Sequence, residues 1–248
     1  MVFEQTVFLV LGAASGGLIN GLAGFGTALF ALGFWLQIMP PVQAVSMVVV
    51  MSVASGLQGV WLVRNSISNQ PRRLVRFLLP ALPGIPLGVA ALSFVPVDVL
   101  KITIAGFMLL YGGFFSLRST LPKFERPTPI ADCFVGFLGG LLGGAASLSG
   151  ALPTMWCAMR PWPKAETRAV LQPFNVTVLG LTLILFATKG AYTWDVLKLI
   201  AIALPVTMVS AQIGITIFKR LNDDQFRRLI IALMFVSGLV LLLRELVA

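Results

Sequence analysis

The sequence contains no histidine, two cysteines and nine acidic residues among 248 positions. Each scarcity excludes something. Without histidine the chain lacks the commonest metal ligand and the one side chain that ordinarily exchanges protons near neutral pH. Cys133 and Cys157 form neither a CxxC pair nor a metal-binding spacing, so no cofactor and no metal is expected. Charged residues make up 11% of the chain, against about 25% in soluble domains. That rules out a soluble enzyme, a nucleic-acid binder and a disordered tail. The first residues, MVFEQTVFLVLG, carry no basic stretch ahead of the apolar run. The whole chain is therefore expected to be mature protein, without a cleaved signal.

What is present is apolar: 58% of the residues are hydrophobic. They gather into runs at about 6–38, 42–63, 74–95, 99–117, 130–159, 169–188, 196–218 and 229–247. Most are long enough to cross a hydrocarbon layer about 30 Å thick. The ten-residue alternation of a membrane β-barrel is missing. The expectation is an all-α integral membrane protein embedded in a lipid bilayer.

Two runs, 6–38 and 130–159, are too long for a single crossing and are interrupted by GGLINGLAGFGTAL at 16–29 and GGLLGGAASLSGAL at 139–152. Glycine weakens a helix by about 1 kcal/mol per position. Each is either one kinked helix or a re-entrant hairpin of two half-helices. Charge separates the alternatives. With eight single crossings, the 18 Lys and Arg residues divide ten to eight. With two re-entrant hairpins, Arg64, Arg72, Arg73, Arg76, Arg118, Lys123, Arg126, Arg160, Lys164, Arg168, Lys219, Arg220, Arg227 and Arg228 share one side. Lys101, Lys189, Lys198 and Arg244 are left on the other. The positive-inside rule expects such asymmetry. Six crossing helices, two re-entrant hairpins and both termini outside follow.

Shifting the chain by 123 residues aligns Gly16, Gly17, Leu18, Gly21, Ala23, Ala28 and Leu29 with Gly139, Gly140, Leu141, Gly144, Ala146, Ala151 and Leu152. Each motif is followed by a proline-containing turn and three apolar spans. Three crossings per half place the second half upside down relative to the first, the inverted-repeat plan of many transporters. The division expected is 1–119 for the first repeat, 120–129 for a linker and 130–248 for the second.

On Gly17, Asn20, Gly21, Gly24, Gly26 and Thr27 in the first half, and Gly136, Gly140, Gly144, Ser147, Ser149 and Gly150 in the second, the chain resembles the sulfite exporter TauE/SafE (TSUP) family. The resemblance covers essentially the whole chain. It implies movement of small anions, such as sulfite, sulfoacetate or other organosulfonates, across the cell inner membrane.

No Lys, Arg, Asp or Glu falls near the middle of an apolar run, so a buried counter-charge for an anion is not expected. Half-helices after re-entrant turns supply another device, since their free N–H groups and positive dipole ends point at the midplane. The candidate substrate-binding residues are Asn20, Gly24, Gly26, Thr27, Ser147, Ser149, Gly150 and Thr154 from the hairpins. Ser46, Gln172 and Asn175 join them from the following helices. Gln172 and Asn175 stand out, because an amide inside a span is costly unless partnered.

Other features have plainer readings. Gly16, Gly17 and Gly21 are better read as small residues that let helices approach. Pro80, Pro83 and Pro86 read as a fixed kink, and the cysteines as buried small residues. Trp35, Trp156, Trp162 and Trp194 read as interfacial anchors, and Asp223 and Asp224 as the cap of the last helix. With no midspan carboxylate or histidine to carry a proton, uniport driven by membrane potential is the simplest coupling. An anion channel, an importer of a small carboxylate or sulfur anion, and a non-transporting scaffold are the competing functions. An intramembrane enzyme would need a catalytic constellation that the spans lack. Oligomeric state, a homodimer included, is left open.

Overall fold

The computed structural model describes residues 3–69, 71–91, 124 and 126–247, with isolated positions 102, 106, 109 and 113. Apart from those isolated positions the expected span at 99–117 lies outside the described residues, as does half of the linker at 120–129. Among those residues all regular structure is helical. The first half contains α1 (Phe3–Ala23), α2 (Thr27–Trp35), α3 (Pro41–Asn69) and α4 (Pro71–Ala91). The second contains α5 (Pro129–Ala146), α6 (Ala151–Ala158), α7 (Lys164–Thr188), α8 (Trp194–Arg220) and α9 (Asp223–Val247). Five helices, α1, α3, α4, α7 and α8, are long and apolar enough to cross a membrane. Leu57, Trp61, Leu79, Val209 and Ile213 are exposed on three of them, and an outward apolar surface of that kind suits hydrocarbon. The chain is a multi-pass membrane protein.

Local signals set the helix ends. Pro41, Pro71 and Pro129 each open a helix, where a missing N–H costs nothing. The α8 start is capped by Thr193, whose hydroxyl accepts from Val196 N at 3.5 Å. The cap of α9 differs from the sequence expectation. Asn222, rather than Asp223 or Asp224, accepts from Gln225 N at 2.7 Å, and its own N–H donates to Gln225 Oε1 at 2.9 Å. That is a capping box closed by an amide pair. Helix α4 continues through Pro80, Pro83 and Pro86.

Glycine decides the packing. Helix α1 lies along α8 in the same direction, with Gly17 against the Thr207 main chain, Gly21 against Ala211, and Gly214 of α8 against Leu18. Helix α5 lies along α4 in the same manner, with Gly140 against Ala81, Gly144 against Ile85, and Gly88 of α4 against Leu141. In all six places a Cβ would overlap a carbonyl oxygen. With lipid as solvent, close backbone approach of this kind is what holds helices together. Helices α3 and α7 cross antiparallel, with Gly56 beside Val176 and Gly59 beside Gln172 and Arg168.

The glycine-rich stretches stay helical further than their composition suggests. The chain breaks only at 24–26 and 147–150, because close packing outweighs glycine's intrinsic cost. After each break a short helix doubles back. Gly16 faces Thr27 and Ala31, Gly12 faces Trp35, and Trp35 Nε1 donates to Leu9 O at 3.0 Å. Trp35 is wholly buried in this contact and is no interfacial anchor. In the second half Gly139 faces Pro153, and Trp156 Nε1 donates to Asp132 Oδ1 at 2.7 Å. Arg160 closes the same end with an ion pair to Asp132 at 3.0 Å and hydrogen bonds to Thr128 and Arg126 O.

Candidate functional site

The two breaks face each other. Gly24 and Gly26 have φ of 86° and 95°, a left-handed backbone that glycine adopts without a steric cost. Gly150 lies so near Phe25 that a Cβ there would come within 2.8 Å of the Phe25 Cβ. Asn175, from α7, staples the turns together. Its Nδ2 donates to Gly24 O at 2.7 Å while its Oδ1 accepts from Ser149 Oγ at 2.9 Å.

Between the turns lies a cavity of about 30 Å³. Phe25, Gly26, Thr27, Ala28 and Leu29 line it from one hairpin, and Ser147, Leu148, Ser149, Gly150 and Ala151 from the other. Asn20 of α1, Ser52 of α3, and Asn175 and Leu179 of α7 complete the wall. Asn20 is fixed by donating to Ser55 Oγ at 2.6 Å and Ser52 O at 3.2 Å. The Thr27 hydroxyl is buried without a hydrogen-bond partner among the described residues.

Both short helices begin at the cavity, but they present different ends. Gly26 gives α2 no side-chain cap, leaving the N–H groups of Thr27, Ala28 and Leu29 outside the helix's own bonding. In α6 the Ala151 N–H donates to Leu148 O at 3.3 Å, and Pro153 has no N–H to offer. Only Leu152 remains there. The donor-rich end belongs to α2.

Of the residues singled out from sequence, Asn20, Gly26, Thr27, Ser147, Ser149, Gly150 and Asn175 come together at the cavity. Gly24, Ser46, Thr154 and Gln172 do not line it. Gly24 supports the site through its carbonyl. Ser46 donates to Val42 O of its own helix at 2.7 Å. Thr154 is buried in α6 with its hydroxyl unpartnered among the described residues. Gln172 Oε1 accepts from Arg168 Nε at 3.1 Å.

That last contact corrects the expectation that no buried counter-charge stands ready for an anion, although Arg168 lies near one end of its helix and not at the middle of a run. Arg168 is wholly buried in the second turn of α7. It donates to Gly21 O at 2.7 Å and Leu22 O at 3.3 Å, and stands 4.4 Å from the centre of the Phe218 ring. The apolar run starts at 169, one residue after Arg168, so hydropathy alone places this arginine in a loop. The signal lay in its spacing, four residues before Gln172 and seven before Asn175, which puts all three on one helix face. Ser52 was missed because a single serine in a span ordinarily bonds its own helix.

The fold and the facing helix breaks define a polytopic helical membrane protein with a small polar cavity between two hairpins. A family model described as Sulfite exporter TauE/SafE matches residues 8–241. The chain belongs to this family of membrane transporters. None of the curated proteins compared with the chain matches it.

Proposed function

We propose that the protein is a transporter, and not an enzyme, that carries a small oxyanion such as sulfite, sulfoacetate or another organosulfonate outward across the cell inner membrane. The substrate binds between the two helix breaks. The observation that carries the reading is the convergence of free N–H groups at the α2 start, the unpartnered Thr27 hydroxyl and the Asn175 amide on one cavity. These donors recognise oxygen anions without a cation in the wall. The cavity, about 30 Å³, is of a size for a small oxyanion and not for a bulky solute.

The architecture behind the reading is two inverted repeats, 1–119 and 130–248. Supporting it, the glycine seams recur in register. Hairpin positions 17, 18 and 21 correspond to 140, 141 and 144, and packing positions 81, 85 and 88 to 207, 211 and 214. The antiparallel α3–α7 crossing supports inversion, since a two-fold axis in the membrane plane reverses the helices it relates. The hairpins are then re-entrant from opposite faces, with both termini outside and the 64–76 and 219–228 segments, which are adjoining helix ends and not loops, cytoplasmic. Asp132 is committed to Arg160, and Glu166 to Arg73, which supports uniport over a carboxylate proton carrier.

The test is flux in reconstituted vesicles across sulfite, sulfoacetate, taurine, isethionate, oxalate and acetate. Saturable sulfite or sulfonate flux that follows membrane potential, and ignores a pH gradient at fixed substrate protonation, is expected. Absence of flux for every anion would sink the reading and leave a scaffold. Cysteine labelling should find residues 39–41 exterior and 160–165 cytoplasmic.

A further inference from the structure

Ion pairing divides the cations of this protein. Arg160 meets Asp132, Arg73 meets Glu166, Lys198 meets Asp195 and Arg227 meets Asp224. Arg168 is different. It is wholly buried, and among the described residues no carboxylate lies within 4.0 Å and every hydrogen-bond partner is neutral. A guanidinium has five N–H groups, and these partners engage three of them. An unpaired charge inside a span is expensive and is kept for a function.

Its position suggests which. Arg168, Gln172 and Asn175 share one face of α7, and Asn175 lines the cavity. From Arg168 to Asn175 is about 10 Å along the axis at 1.5 Å per residue. All three side chains touch the first hairpin's turn: Arg168 at Gly21 and Leu22, Gln172 beside Gly24, and Asn175 at the Gly24 carbonyl. Between the two ends, Gln172 Nε2 is buried without a partner among the described residues. Gly59 of α3 makes the room, because a Cβ there would overlap the Gln172 amide and come within 3.0 Å of the Arg168 guanidinium. Free donors thus continue from the cavity to a buried cation.

We propose that Arg168 is a second anion-binding station, which takes a pair of oxygens from a sulfite, sulfonate or carboxylate group. It lies one step from the cavity toward the end of the bundle formed by Lys164 and Phe218. Empty, the guanidinium rests on the last carbonyls of α1. Loaded, it exchanges those neutral acceptors for the anion's oxygens, which a charged fork binds more strongly. Release of α1's end then couples occupancy of this station to the turn that walls the cavity. The inference rests on the transport reading, and its test separates the two.

Vesicles carrying wild type, Arg168→Lys or Arg168→Gln are assayed with radiolabelled sulfite, with sulfate as a doubly charged competitor. Wild type that moves none of the panel anions overturns the transport reading and this one with it. Given wild-type flux, Arg168→Gln is expected to raise the KM for sulfite at least tenfold and to lose inhibition by sulfate. Arg168→Lys, which keeps the charge but not the fork, should raise KM only about threefold and keep that inhibition. A merely structural cap predicts that both variants lower thermal stability together and leave KM and sulfate inhibition unchanged, which would overturn the proposal. Should neither variant fold, Phe218→Trp with Arg168 intact gives the answer. A saturable emission change with sulfite, beyond that of the native tryptophans, supports the station, and none overturns it.

Discussion

The two hairpins solve one geometric problem by different means. At the end of α5, Ser147 N donates to Gly143 O at 3.0 Å and Leu148 N to Leu142 O at 3.2 Å. With Ser147 in the left-handed region this is an αL cap, in which the helix closes itself. The end of α1 makes the equivalent bond, from Gly24 N to Asn20 O at 2.8 Å, and in addition its Gly21 and Leu22 carbonyls accept from Arg168, in the other half of the chain. The following helices differ in the same sense. Among the described residues α2 offers three free N–H groups and the Thr27 hydroxyl, whereas α6 has Pro153 in its first turn and retains one free N–H. The second hairpin is self-contained, and its open end is locked by Asp132, Arg160 and Trp156. The first turns its unsatisfied donors to the cavity and adds a cap from the other half of the chain. A repeat can thus keep its packing seams and still place the ligand chemistry on one side.

The sharpest way to break that picture is at Asn175, the staple between the hairpins. Asn175→Asp sets a carboxylate against the Gly24 carbonyl, with no N–H to donate, beside a bound anion. Sulfite flux in vesicles should fall at least ~100-fold, the scale of losing a hydrogen bond to charge while adding repulsion. Asn175→Ala removes only the bond and should cost about tenfold. Wild-type flux in Asn175→Asp would mean that the anion does not pass this cavity.

Equivalence of the seams is tested next. Gly21→Ala and Gly144→Ala each drive a methyl into a carbonyl, of Ala211 or Ile85. Each should lose about 2 kcal/mol or more, the range of overpacking in a tight contact, measured by thermal unfolding in detergent. The losses should match. If one variant is silent, the repeats do not share a seam.

The donor asymmetry makes a smaller claim. Thr27 and Thr154 both bury hydroxyls without partners among the described residues, but only Thr27 lines the cavity. Thr27→Val should cut flux about tenfold, one hydrogen bond to a charged ligand, with little change in melting temperature. Thr154→Val should change flux less than twofold. Equal effects would move the binding site away from the α2 end.

Much of this was readable in the residues, and the failures have physical causes. The 123-residue recurrence marked both hairpins, and the notion that Gly17 and Gly21 serve packing agrees with their contacts on α8. Hydropathy misled at Arg168, because a run is counted from its first apolar residue while a helix begins wherever its backbone bonds do. Here α7 starts at Lys164, which carries a charge inside the fold. It misled at Trp35 too, because position in a run says nothing of whether a glycine such as Gly12 opposite leaves space for an indole. Which Ser and Thr reach the cavity depends on helix rotation at a break, and periodicity does not encode that.

The finest distinction between the hairpins is one backbone angle. Ser147 occupies the place that Gly24 holds in the first turn, 123 residues earlier, and adopts φ 56° where Gly24 has 86°. A side chain in the left-handed region costs about 1–2 kcal/mol, offset in part because glycine gives the unfolded chain more freedom. Ser147→Gly should therefore stabilise the protein by about 0.5–1 kcal/mol. The reciprocal Gly24→Ala should destabilise it by about 1–2 kcal/mol, and more if Gln172 cannot yield, since its Oε1 lies 2.9 Å from where the new Cβ would sit. Thermal unfolding of both variants beside wild type reads the signs directly. Opposite signs would mean that the turns share a backbone shape and differ only in the residue asked to adopt it. A destabilised Ser147→Gly would instead show that the serine hydroxyl, at the cavity wall, contributes more than its strained backbone costs.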